Sequence, residues 1–155
     1  MLNVVKEQQG GVLVVKLTGS IEETVDFDQL IGPPPPALHV YCRGVPRINS
    51  VGVKAWIKYF QKVQQAGAQL QFHECSTAIV EQLNLISNFA CGGEVVSILV
   101  PYVCQDCGAE LVGLFKTDAL KKAQFQIPNL KCTKCGSSNA VFDDIPEEYF
   151  NFLME

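Results

Sequence analysis

The chain has 155 residues, 48% of them hydrophobic and 18% charged, and a formal net charge of −4. That balance describes a folded protein with room for one ordinary domain and a small appendage, and it excludes a disordered chain. Residues 1–100 hold seven Lys/Arg against eight Asp/Glu, and residues 101–155 five against eight, so no basic face for nucleic acid stands out.

The first residues carry no long apolar run followed by small residues, and no apolar run reaches membrane-spanning length. Seven cysteines cannot all pair within one chain, so a reducing cytoplasm is the expected compartment.

Residues 4–6 and 12–17 are β-rich runs, and Gln8-Gln9-Gly10-Gly11 between them predicts a hairpin. Residues 19–37 read as an irregular connection. One or two helical turns are expected over residues 24–30, before Pro33-Pro34-Pro35-Pro36 imposes extended backbone. Residues 38–42 read as a strand. Val53, Trp56, Ile57, Phe60 and Val63 then recur at helical spacing, with Gly67 as the stop. Residues 68–73 alternate and predict a strand with Leu70 and Phe72 on one face. Ser76 is placed to cap a second helix with Ile79, Val80, Leu83 and Ile86 inward, ended by Gly92-Gly93. Residues 95–100 read as a last strand running into Cys104. Strand–helix alternation predicts an α/β fold with a mostly parallel sheet and an antiparallel first hairpin. The expected boundary lies near Pro101, giving modules 1–100 and 101–155.

The second module opens on Cys104-Gln105-Asp106-Cys107-Gly108, and Cys132-Thr133-Lys134-Cys135-Gly136 repeats the pattern after 24 intervening residues. Two thiolates three positions apart wrap one ion through a tight turn, and the following glycine lets amide N–H groups aim at sulfur. Cys104, Cys107, Cys132 and Cys135 together make the closed four-sulfur set of a structural Zn²⁺ site, one per chain. Two disulfides or two redox dithiols are the competing readings. Four cysteines leave zinc no open position for hydrolysis, and no nucleophile–base pair or phosphate-cradling glycine loop accompanies them, so no enzyme is expected.

The run Val45-Pro46-Arg47-Ile48-Asn49-Ser50-Val51-Gly52-Val53, together with the element order over residues 3–100, resembles the STAS domain, the fold of bacterial anti-sigma factor antagonists. That family usually carries an apolar residue and then Asp-Ser-Ser/Thr-Gly at this helix start. The resemblance implies that Asn49 takes the Asp position, Ser50 the phospho-acceptor position, Val51 the second Ser/Thr and Gly52 the glycine. Asn for Asp removes a charge, the first helix is shrunken and replaced by prolines, and the zinc ribbon lies outside a minimal STAS domain. The function implied is a non-enzymatic protein-interaction module in signalling. Its partner loop would hold Arg47, Asn49, Ser50 and Gly52, with phosphorylation of Ser50 as the switch. The alternative is nucleic-acid binding through the ribbon, using Lys116, Lys121, Lys122, Lys131 and Lys134 with Phe115 and Phe125.

Each of these residues has a plainer role beside the functional one. Ser50 or Asn49 serves as a helix cap. Arg43 and Arg47 hold a phosphate or only form a solvated rim. Trp56 packs in the core. His39 and His73 stand alone, with no catalytic companion at suitable spacing. Cys42, Cys75 and Cys91 are expected as inert small hydrophobes. The acidic, aromatic tail from Asp143 onward either docks a partner or packs its aromatics back on the fold.

Overall fold

A computed structural model of the chain describes residues 2–22 and 25–154. The first hairpin pairs β1 (Asn3–Gln9) with β2 (Val12–Thr18), antiparallel, around Gly10 at φ 61°. β3 (Ala37–Gly44), β4 (Gln69–His73) and β5 (Glu94–Val95) follow in parallel, so the five-stranded sheet has the order β1-β2-β3-β4-β5. The fold is α/β with a mixed sheet, antiparallel only at its first hairpin.

Period-two patterning decides which face is covered. Val15, Leu17, Leu38, Val40, Cys42, Leu70 and Phe72 point to one side and are buried. Helix α2 (Ser50–Gln65) lays Trp56, Tyr59, Phe60 and Val63 on that side. Helix α3 (Thr77–Leu85) adds Ile79, Val80 and Leu83, and the Ser76 hydroxyl accepts from the Ile79 N–H as its cap. The expected turns near residues 24–30 appear as α1 (Phe27–Ile31), capped by Asp26; Thr24 lies outside the described residues. Phe27 packs against Trp56, Tyr59 and Phe60 with ring centroids about 6 Å apart, so this short helix still closes the aromatic core.

One expected element divides in two. The run expected as a single strand over residues 95–100 ends its pairing with β4 at Val96, whose N–H donates to Phe72 O at 2.8 Å. β4 itself stops at His73, because Glu74 takes φ 52° and its N–H turns to the Ser97 hydroxyl. Beyond that point the chain becomes β6 (Ser97–Cys104), the centre of a second, antiparallel sheet of order β7-β6-β8. β7 is Glu110–Lys116 and β8 is Ala140–Phe142. A β-bridge from Cys75 to Ile98 joins β6 to the end of the first sheet. Pro101 sits in the middle of β6. It is tolerated because its carbonyl faces the β8 side, accepting from Asp143 N–H, so its missing N–H breaks no bond to β7.

Helix α4 (Thr117–Lys122) follows β7, and α5 (Pro146–Tyr149) with a 3₁₀ turn (Asn151–Leu153) closes the chain. The tail packs back on the fold. Tyr149 donates its hydroxyl to Leu99 O at 2.5 Å. Asn84 of α3 donates to Tyr149 O and accepts from Phe152 N–H, both at 2.9 Å. The buried residues of both sheets form one contiguous cluster that includes Trp56, Ile79, Val100, Tyr102, Leu120 and Phe150.

Candidate functional site

Two places carry the chemistry expected from the sequence. The first lies at the tip of the second sheet. Each cysteine pair forms the same turn: Gly108 N–H donates to Cys104 O and Gly136 N–H to Cys132 O, both at 2.9 Å. Both glycines sit in the left-handed region, at φ 75° and 80°, where a side chain is strained. The four Sγ atoms lie within 4.8 Å of one another, with Cys104–Cys135 and Cys107–Cys132 contacts of 3.6 Å. Four sulfurs about 2.3 Å from one ion in a tetrahedron stand about 3.8 Å apart, so this spacing fits metal ligation, whereas a disulfide needs about 2.05 Å. Among the described residues it is the one group of three or more His, Cys, Asp or Glu side chains close enough to hold an ion.

The backbone bonds favour the thiolate at Cys132, while burial and then the neighbouring sulfurs push Cys135 up to about 12. Amide N–H groups of Cys135 and Lys134 aim at the Cys132 sulfur and pull its thiol down to about 7. Asp106 in the first turn accepts from the Ser137 hydroxyl and, at 3.0 Å, from Asn139 Nδ2, which clamps the two turns together. Cys104 and Cys132 are buried, while Cys107 and Cys135 face solvent. The sequence flagged the ligands but not the Asp106 clamp; its only trace was an acid between two cysteines.

The second place is the start of α2. Asn49, not Ser50, is the cap: its side-chain oxygen accepts from Gly52 N–H at 2.7 Å. Ser50 is the first helical residue. It is exposed, and its hydroxyl makes no hydrogen bond among the described residues. The loop is held from behind by Ile21, whose N–H donates to Arg47 O at 3.0 Å and whose carbonyl accepts from Asn49 N–H at 3.2 Å. Gly52 is explained by the same contact. A Cβ there would stand 2.2 Å from Ile21 O, an overlap no rotamer relieves. Arg47, Ile48 and Asn49 share a shallow cleft of about 340 Å³ with Ala78 and Glu81 of α3. Val51 beside Ser50 is 44% exposed. Arg43 faces away, paired with Glu74 at 3.1 Å.

The remaining candidates resolve into packing. Trp56 donates to Phe89 O at 2.9 Å inside the core. Cys42, Cys75 and Cys91 are buried; the bond to Cys75 and then burial hold the Cys42 thiol well up, and burial pushes Cys91 up to about 11. His39 and His73 are not isolated. They meet on the uncovered face of the first sheet with ring centroids 5.1 Å apart, and Tyr41 stacks on His73 at 4.6 Å. Burial, and then the charge of His39, lower the pKa of His73. The parallel register placing Tyr41 opposite His73 is what brings them together, and no local pattern shows it. In the ribbon, Phe125 stacks on Phe150 and Phe115 lies near Tyr102, so both aromatics face inward.

No family model matches the chain, and no curated protein matches it. A similar solved structure is the crystal structure of an anti-sigma factor antagonist from Mycobacterium paratuberculosis, at 24% identity and a TM-score of 0.46, covering 56% of this chain and 79% of that one. Among the described residues no helix is long and apolar enough to cross a membrane.

Proposed function

We propose that the chain is a protein-interaction module of signalling, similar in its helix-start signature to anti-sigma factor antagonists, whose partner surface is the loop of residues 47–52. One observation carries this reading. Ser50 and Val51 stand exposed on the first turn of α2, whose cap and supporting backbone bonds are supplied by other residues. The hydroxyl is therefore available for modification, Val51 beside it is exposed, and Arg47 lines the cleft before this helix start. Phosphate on Ser50 would meet the free amides and positive end of the α2 dipole within the chain. It would also add roughly −1.5 to −2 charge to a surface the partner covers, and so act as an off-switch.

In this reading the metal is one structural Zn²⁺ held by Cys104, Cys107, Cys132 and Cys135. Four thiolates are a soft, closed set that suits zinc and leaves it no reacting position. The inward-facing Phe115 and Phe125 offer no stacking platform, which favours a protein partner over nucleic acid.

The test uses full-length protein captured from its native cell, with cross-linking to map the contacted surface. Cross-links at or beside residues 47–54, phosphate on Ser50, and loss of capture with Ser50→Asp but not Ser50→Ala are expected. If Ser50→Asp captures the same partner as well as the parent chain and Ser50 carries no phosphate, the switch is excluded.

A further inference from the structure

The second sheet has an open edge. In the order β7-β6-β8, β7 pairs on one side only among the described residues. The direction of its free backbone groups follows from the ladder. Leu99 N–H donates to Cys75 O and Pro101 O accepts from Asp143 N–H, so both residues turn their backbone away from β7. Their partners across the ladder, Leu114 and Val112, are therefore in non-hydrogen-bonded pairs with β6, and their N–H and C=O groups point outward. The same alternation applies to Glu110 and to the Lys116 N–H, while the Lys116 carbonyl is taken by the first turn of α4. The side chains along this edge are unusual for an exposed strand: Val112 is 50% and Leu114 47% exposed. Neither proline nor a mid-strand charge guards it.

We propose that β7 pairs antiparallel with β7 of a second copy of this chain, about a two-fold axis at Gly113. The strand reads Glu110-Leu111-Val112-Gly113-Leu114-Phe115-Lys116 and is complementary to itself in that register. Glu110 falls opposite Lys116 of the second copy at both ends, Val112 opposite Leu114, and Leu111 opposite Phe115. The outward-facing backbone groups of residues 110, 112 and 114 and the Lys116 N–H meet their counterparts in the second copy, which an antiparallel ladder requires. Shifting the axis to residue 112 or 114 keeps that parity but sets Glu110 or Lys116 against an apolar residue. Charge complementarity thus selects one register. It also selects a second copy over an unrelated strand, because donor and acceptor charges both lie on this one segment. Gly113 at the axis is set by packing within the chain, since a Cβ there would stand 2.8 Å from Leu130 Cδ1. The pairing buries Val112 and Leu114 of both copies and removes the free edge.

Sedimentation equilibrium of the full-length metal-loaded protein over a concentration series tests this. A monomer–dimer equilibrium is expected. Lys116→Glu and Glu110→Lys each set like charges opposite one another twice, and each should raise the dimer dissociation constant about tenfold. The double variant Glu110→Lys/Lys116→Glu restores opposite charges and should return to parent behaviour. Val112→Pro removes an outward N–H without touching the β6 ladder, and should abolish the dimer while circular dichroism and metal content stay unchanged. A protein that remains monomeric throughout the series overturns the proposal. So does a dimer indifferent to the single charge reversals or not rescued by the double one.

Discussion

Asn49 and Ser50 are adjacent polar residues at one helix start, and sequence alone leaves their roles interchangeable. Only one can be the cap. Asn49 has extended backbone, at φ −99° and ψ 178°, and its side chain reaches back to Gly52 N–H; Ser50 is already helical. Stability therefore separates them. Asn49→Ala should cost about 1 kcal/mol, while Ser50→Ala should stay within about 0.5 kcal/mol, read from urea midpoints at unchanged slope. Equal losses would mean that Ser50 shares the cap and is not free for modification. Gly52→Ala should be the most damaging of the three, at about 1–3 kcal/mol, because the added methyl meets the Ile21 backbone instead of a movable side chain. A glycine that sequence likeness presents as part of a signature thus has a local steric cause in this chain. Nothing in the sequence shows that cause, since Ile21 lies 31 positions upstream.

The cysteine turns were legible from spacing because a metal turn is local: four consecutive positions and a glycine define it. The first hairpin, α2 and the start of α3 were legible for a similar reason, since turn residues, caps and apolar periodicity all fall within one window; the end of α3 was not, for it stops at Leu85, where Ile86 turns extended, and not at Gly92-Gly93. What local pattern did not show is where a strand changes sheet. Residues 94–104 are apolar almost throughout, and a continuous apolar run does not reveal that Val96 bonds to β4 while Leu99 bonds to Cys75. The metal turns give a direct prediction. Elemental analysis should find about one zinc per chain, and Cys104→Ser should abolish it. Because structural zinc contributes on the order of 10 kcal/mol, chelation should release hydrogen-exchange protection in β7 and around the two turns. Two disulfides by mass, or protection that survives a strong chelator, would exclude a metal-held ribbon.

The expected modules 1–100 and 101–155 meet in the middle of β6, and the core runs across that junction. A cut after Val100 removes Tyr102, Leu120, Ala140, Tyr149 and Phe150 from the shared cluster, together with the bonds that Asn84 makes to Tyr149 and Phe152. Helix α3 would lose its outer cover and the Asn84 side chain its partners. We expect the two sheets to unfold as one cooperative unit. A fragment of residues 1–100 should then show a weaker or absent thermal transition, and the full chain a single one by two independent probes. Asn84→Ala offers a milder form of the same test. It leaves the Tyr149 carbonyl and Phe152 N–H without partners at a half-buried site, so it should cost about 1–3 kcal/mol. If the halves are coupled, that loss appears in amide protection of α2 as well as of the tail. Loss confined to residues 146–154, with a fragment of residues 1–100 as stable as the whole, would mean that the first sheet folds alone and the ribbon is a passenger on it.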